Sequence, residues 1–270
     1  MATSNLKVVA SAAQTRRPVI EMRGVSKTYR TADGDVPAMR PIDFTVGEGE
    51  FVVIVGPSGC GKTTLLKMLA GLLQPSAGEV VVEGKKITKP HSGVGIVFQT
   101  ALLLPWRNVL SNVMMPVEVK GLPKEKYRQR ALDLLKMTGL EGFERKYPWQ
   151  LSGGMQQRVS ICRALVHDPK IVLMDEPFGA LDAMTREKMN VELQRIQRET
   201  GKTVLLITHS IPEAVFLADR VMVMSARPGN IAAVYDVALP RPRTLDVMAN
   251  PLFVEMTQKV RAHFSDAHID

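Results

Sequence analysis

Gly56-Pro57-Ser58-Gly59-Cys60-Gly61-Lys62-Thr63 reads as Gly, four residues, then Gly-Lys-Thr, a spacing that suits a phosphate-cradling loop. Phosphates carry concentrated negative charge, and a Gly-rich turn entering a helix aims several backbone N–H groups at them. Side chains would block that approach. Lys62 would reach the β- and γ-phosphates as a point charge, and the Thr63 hydroxyl would hold Mg²⁺, with Thr64 the next residue in line. A second constellation is Ile171-Val172-Leu173-Met174-Asp175-Glu176-Pro177, an apolar run ending in two carboxylates. Asp175 could hold Mg²⁺ through water while Glu176 polarises an attacking water. The structural alternative is that acids before a proline merely end a strand.

These groups need elements to position them. Phe51-Val52-Val53-Ile54-Val55 is a β-branched run that reads as a buried strand, and the residues from Thr64 to Ala70 read as a helix with Gly71 near its end. Strand, loop and helix thus fall in the required order. Short strand-like pieces separated by turns occupy residues 18–48, and further strands are expected at 79–83 and 94–98. The pattern turns helical around 107–140, clearest at 127–137, and another helix should start after Ser152. Beyond it strands at 171–174, 204–207 and 221–224 alternate with helices near 183–199 and 211–218. Such alternation implies an α/β fold with a parallel sheet covered on both faces, interrupted by a helical lobe at about 100–165.

Composition sets the bounds. The 270 residues are 45% hydrophobic and 23% charged, enough for a substantial core. No apolar stretch approaches ~18 residues, so no membrane span is expected. Residues 1–17, rich in Ala, Ser and Thr, read as a loose tail without a signal-peptide pattern. Two cysteines, one inside the phosphate loop, make no disulfide framework and fit a reducing cytosol. The net charge of +8 is scattered, with no basic run interleaved with aromatics; a solvated surface explains it better than nucleic acid, and no nucleic-acid partner is expected.

Leu151-Ser152-Gly153-Gly154-Met155-Gln156-Gln157-Arg158 is the third constellation. Ser152 is a good N-cap, and Gly153 and Gly154 leave room for a phosphate at the start of the following helix. This stretch resembles the signature of ATP-binding-cassette (ABC) ATPases, and other stations of that family stand in order. Tyr29 matches the aromatic that stacks on adenine, Gln99 the glutamine that senses Mg²⁺ and the γ-phosphate, Asp182 the loop linking two active sites, and His209 the switch histidine. Singly, each has an ordinary reading: Tyr29 a half-buried tyrosine, Gln99 a polar strand end, Asp182 an N-cap and His209 a structural histidine. The resemblance covers residues 18–235 and implies a P-loop NTPase parallel-sheet core, an antiparallel β subdomain, an inserted α-helical subdomain and a short C-terminal extension at 236–270. It further implies ATP hydrolysis with Mg²⁺, and a second copy of the chain whose Ser152, Gly153 and Gly154 close over ATP on the first.

What the ATPase drives is a separate matter. A transport motor whose permease subunits are other chains fits Leu102-Leu103-Leu104-Pro105-Trp106, an apolar, aromatic stretch that could receive a short permease helix; core packing explains the same residues equally well. A soluble ABC ATPase for cofactor assembly or nucleic acid is the alternative, although the chain carries neither long coiled-coil insertions nor a second cassette. Leu103 to Val109, Arg227-Pro228-Gly229 and Leu239-Pro240-Arg241-Pro242-Arg243 resemble the nitrate/sulfonate/taurine importer ATPases. That implies a location on the cytoplasmic face of the bacterial inner membrane and an extracytoplasmic solute-binding protein as an indirect partner. Ser210 departs from the family, in which Asp is common after the histidine. The thiol of Cys60 is expected where ATP would shield it.

Overall fold

The computed structural model describes residues 16–179 and 181–265. The expected loose tail therefore lies outside the described residues apart from Arg16 and Arg17, as does Ala180. The chain opens with a long antiparallel hairpin, β1 (Pro18–Thr31) and β2 (Gly34–Gly47). Where sequence reading expects short separate pieces, the structure has two 14-residue strands. Register shifts interrupt the pairing, which blurs the period-2 alternation that would otherwise betray their length. β4 (Ala77–Val82) and β5 (Lys85–Lys86) complete a four-stranded antiparallel sheet ordered β2-β1-β4-β5.

The second sheet carries the chemistry. It contains β3 (Phe51–Val55), β6 (Val94–Val97), β7 (Ile171–Asp175), β8 (Thr203–Thr208), β9 (Arg220–Met224) and β10 (Ile231–Asp236), in the order β10-β9-β3-β8-β7-β6. All of its pairs are parallel except β9 with β10. β10 adds a strand beyond those the sequence pattern predicts; its alternating half-exposed pattern marks an edge strand. Side chains of β3 divide between the two faces: Phe51, Val53 and Val55 join one core cluster, Val52 and Ile54 the other. β7 and β8 split in the same way, so the sheet is buried on both sides, as continuous apolar strands require.

Helices α1 (Lys62–Leu69), α2 (Val109–Val119), α3 (Lys124–Met137), α4 (Gly153–Leu165), α5 (Ala183–Thr200), α6 (Ile211–Leu217) and α7 (Pro251–Ser265) cover the sheet and its flanks. Leu65, Leu66, Met68 and Leu69 of α1 fill the core between the two sheets. On the opposite face, Val113 and Val117 of α2, Leu134 and Leu135 of α3 and Val159 and Cys162 of α4 pack continuously with the sheet. The helical region thus shares the core of the catalytic sheet. Among the described residues no helix is long and apolar enough to cross a membrane.

One buried polar residue organises the approach to α2. Asn112 is fully buried; its Oδ1 accepts from Leu104 N (2.8 Å), and its Nδ2 donates to the carbonyls of Leu104, Arg107 and Asn108 at 2.9–3.1 Å. Asn112→Ala strips these backbone groups of their partner and is expected to cost about 2–4 kcal/mol of stability. Urea unfolding would show this as a lowered midpoint, and an unchanged midpoint would contradict it.

Candidate functional site

The loop between β3 and α1 has the backbone that its glycines predict. Gly59 and Gly61 have φ of 75° and 102°, a region that only glycine enters cheaply. A Cβ on Gly56 would sit 2.8 Å from Cys60 Sγ and 3.0 Å from Met224 Cβ. Gly61 caps α1 without a side-chain hydrogen bond, which leaves the first N–H groups of the helix aimed into the loop. Lys62 is buried, and its Nζ donates to Gly56 O (2.8 Å) and Pro57 O (2.9 Å). The ammonium is therefore enclosed by the turn that the phosphates would enter.

Cys60 corrects an expectation. Its side chain is 1% exposed and packs in the core beneath the loop, where burial raises the thiol's pKa. Cys162 is equally buried, 3.2 Å from Thr138 Oγ1, and its thiol is pushed up to about 12. Both thiols are expected to react slowly with an alkylating reagent in the native chain, with or without ATP. Rapid, ATP-protected labelling would instead put the Cys60 thiol at the nucleotide.

The carboxylates arrive on the end of β7, the edge at which parallel sheets present ligand groups. Asp175 is buried beside the Thr63 side chain; desolvation, then the nearby Glu176, raises its pKa, while Thr63 and Lys62 oppose the rise. Glu176 has φ of +43° and is followed by Pro177. A bulky residue in this region is strained, and such strain concentrates at functional positions. The backbone N–H of Glu176 donates to Ile207 O at 2.8 Å. Its Oε2 meets His209 Nδ1 at 3.0 Å and Gln99 Nε2 at 3.4 Å. Two residues far apart in sequence, Gln99 and His209, thus converge on one oxygen of Glu176.

The remaining candidates fall into two groups. Tyr29, 36% exposed, places its hydroxyl 3.2 Å from Thr64 Oγ1 and therefore lies beside the phosphate loop. Ser152 caps α4, its Oγ accepting from Met155 N at 3.3 Å, and Gly153 faces open space. A Cβ on Gly154 would come within 3.0 Å of Leu181 Cδ2, which puts this helix start against the loop leading to Asp182. Asp182 caps α5 by accepting from Thr185 N at 2.9 Å, and bonding to Thr185 lowers its pKa. Among the described residues no hydrogen bond joins Ser152, Gly153, Gly154 or Asp182 to the phosphate loop, Glu176 or His209.

Several neighbours escape sequence reading. Gln157 Nε2 donates to Phe98 O at 3.1 Å, tying α4 to the strand end before Gln99. Arg186 donates to Phe178 O and Leu181 O, fixing the loop before Asp182. Glu213 is buried beside Thr208, its Oε1 without a hydrogen-bond partner among the described residues, and desolvation raises its pKa. The signal for Glu213 is the Ser210-Ile211-Pro212-Glu213 spacing of a capping box; Ser210 Oγ accepts from Glu213 N at 3.4 Å. Ser210 therefore does the capping work of an Asp at that position.

The residues present fit a nucleotide with its metal. Glycine turns, uncapped helix N–H groups and an enclosed lysine suit a polyphosphate. Thr63, Gln99 and Asp175 offer hard oxygen donors of the kind Mg²⁺ takes, few enough that phosphates and water would complete the sphere. No group of three or more His, Cys, Asp or Glu able to hold a metal occurs among the described residues.

With this fold and site, the chain belongs to the ABC transporter family, whose model matches residues 39–179; it is an ATP-binding ATPase of that family. An uncharacterised ABC transporter ATP-binding protein of Methanocaldococcus jannaschii is 50% identical over 224 residues, 83% of this chain and 84% of that one. The taurine import ATP-binding protein TauB of Yersinia pestis is 51% identical over 195 residues, 72% of this chain and 76% of its own. The dimeric structure of MJ0796, described as a bacterial ABC transporter cassette, superposes with a TM-score of 0.74 at 37% identity, covering 82% of this chain and all of that one.

Proposed function

We propose that this ATPase powers a multi-subunit importer for a nitrate-, sulfonate- or taurine-type solute from the cytoplasmic face of the bacterial inner membrane. The observation that carries the catalytic part is the convergence of Gln99 and His209 on Glu176 beside the Thr63–Asp175 pair. The importer part rests on the similarity to TauB, whose name states taurine import. Residues 18–235 form the catalytic unit in this reading, with residues 100–165 its helical subdomain and 236–270 an extension.

Each residue then has a task. Backbone N–H groups of residues 58–64 and the Lys62 ammonium bind the phosphates, and Tyr29 supports the adenine. Thr63, Gln99 and Asp175 would hold Mg²⁺, which when bound would neutralise phosphate charge. Glu176 orients the attacking water and accepts its proton on the carboxylate, while His209 holds that carboxylate and faces the γ-phosphate. Phosphoryl transfer needs this positioning and charge neutralisation more than covalent chemistry. Ser152, Gly153 and Gly154, exposed or half-exposed at the start of α4, have no phosphate of their own and serve the nucleotide of a second copy. Asp182 lies at the same contact.

Permease subunits are the partner that turns the cycle into transport. A groove of about 560 Å³ is lined by Phe98, Leu102, Leu104, Met115 and Pro116 among others, with Leu102 59% and Trp106 71% exposed beside it. Arg163 of α4 donates to Ala101 O and Leu102 O, so a helix seated here would pull directly on α4 and on the strand end before Gln99. The solute-binding protein acts through the permease. The test is to co-purify the tagged chain with multi-span subunits from detergent-solubilised membranes and to measure ATP turnover. Stoichiometric recovery with turnover stimulated by taurine, a sulfonate or nitrate in the presence of the binding protein is expected. Recovery without membrane subunits would move the reading to a soluble ABC ATPase.

A further inference from the structure

β3, α5 and α6 are held together behind the site by residues 239–243, which no step of the mechanism uses. Arg243 is 3% exposed. Its guanidinium donates to Val215 O, Phe216 O and Ala218 O at 2.7–3.0 Å, and to Val237 O and Leu239 O at 3.4 and 3.1 Å. It thus takes the carbonyls that α6 leaves unpaired at its C-terminal end. The backbone of Arg243 is also clamped to α5, its N–H donating to Gln194 Oε1 (2.6 Å) and its C=O accepting from Gln194 Nε2 (3.1 Å). Arg241 reaches the third element: it donates to Asp219 Oδ1 at 2.9 Å and to Leu217 O. Asp219 in turn accepts from Phe51 N (3.0 Å) at the start of β3, and its own N–H donates to Phe51 O at 2.7 Å.

The far ends of these three elements are the functional loops. β3 runs into Gly56, α5 starts from Asp182, and α6 starts immediately after His209 and Ser210. We propose that Arg241 and Arg243 are positioning residues for ATP hydrolysis, gathering the near ends of β3, α5 and α6 so that the phosphate loop, Asp182 and His209 keep a fixed relation. α6 has only seven residues, about 10 Å of helix, and a shift at its held end moves the His209 end with it.

Stability alone is a poor reason for this arrangement. The carboxylate of Asp219 is shared by the guanidiniums of Arg241 (2.9 Å) and Arg16 (3.4 Å). Among the described residues the Arg243 guanidinium therefore donates to carbonyls alone, and burial pushes its pKa down to about 10. Arg243 Nε and Arg241 Nη1 are buried with no hydrogen-bond partner among the described residues. Apolar side chains would fill such a site at lower desolvation cost. What the arginines add is direction: a planar fork that binds several carbonyls in one geometry.

The inference rests on the ATPase reading above, and the test separates the two. The full chain is compared with Arg243→Gln, Arg243→Lys and the milder Gln194→Ala, at a temperature where circular dichroism shows each variant folded. Misplacement remote from the chemistry acts mainly on kcat. Roughly a tenfold fall in kcat is expected for Arg243→Gln and about threefold for Gln194→Ala, with KM for ATP within about twofold and partial recovery in Arg243→Lys. Should Arg243→Gln fail to fold, Gln194→Ala decides. Unchanged kcat in the folded variants, with only the melting midpoint lowered, overturns the proposal. An unmodified chain that turns over no ATP, alone or with its permease, strikes at the ATPase reading instead.

Discussion

Glu176→Gln is expected to hold ATP and fail to turn it over. The substitution keeps the size of the side chain and an oxygen for contacts such as those made by His209 and Gln99, but it removes the site that accepts a proton. General-base contributions run to roughly 10²- to 10⁴-fold, and the fall in kcat should lie in that range with ATP affinity little changed. The backbone of Glu176 argues the same way. A positive φ before a proline is expensive to maintain, and here it directs the carboxylate to where His209 and Gln99 meet it. Steady-state phosphate release and equilibrium nucleotide binding measure the two halves separately. Undiminished release would remove Glu176 as the base.

Lys62→Ala is expected to fail at the earlier step. In the structure the ammonium bridges Gly56 O and Pro57 O, so its removal takes away both the charge that meets the phosphates and a brace of the loop. A hydrogen bond to a charged group contributes about 1.5–3 kcal/mol, which corresponds to a loss of roughly 10- to 100-fold in ATP affinity. Turnover falls with it, because the same charge neutralises the transferring phosphoryl group. Calorimetric titration distinguishes the two variants: Glu176→Gln should bind ATP like the unmodified chain, whereas Lys62→Ala should not. Affinity within about twofold of the unmodified chain for Lys62→Ala would show that the loop amides bind the phosphates without it.

The contrast between what the sequence discloses and what it conceals follows contact range. The β3–loop–α1 unit, the acidic end of β7 and the Ser152 cap are contiguous in sequence, and each leaves a local mark: an apolar run, a glycine spacing or a capping hydroxyl. The helical stretch around 107–140 resolves into α2 and α3, separated at Gly121 and Pro123, whose turn chemistry is a local mark of the break. Pairing is another matter. The register shifts of β1 with β2 and the edge position of β10 are decided by partners elsewhere in the chain. The inward turn of the Cys60 thiol is likewise tertiary, set by Met224 and the core beneath the loop. So is the bond from Arg243 to Gln194, 49 residues away. Sequence spacing nominates Gln99, Glu176 and His209 as three separate stations. That they meet at a single carboxylate oxygen depends on the order of β6, β7 and β8 in the sheet, which no local pattern encodes.

Two copies are expected to close over ATP, because among the described residues Ser152, Gly153 and Gly154 make no hydrogen bond to the phosphate loop of their own chain. Multi-angle light scattering of Glu176→Gln, with and without saturating ATP and Mg²⁺, tests this most directly. The predicted result is a monomer without nucleotide and a mass of two chains with it. A monomer at saturating nucleotide, in a variant shown to bind ATP, would contradict the account.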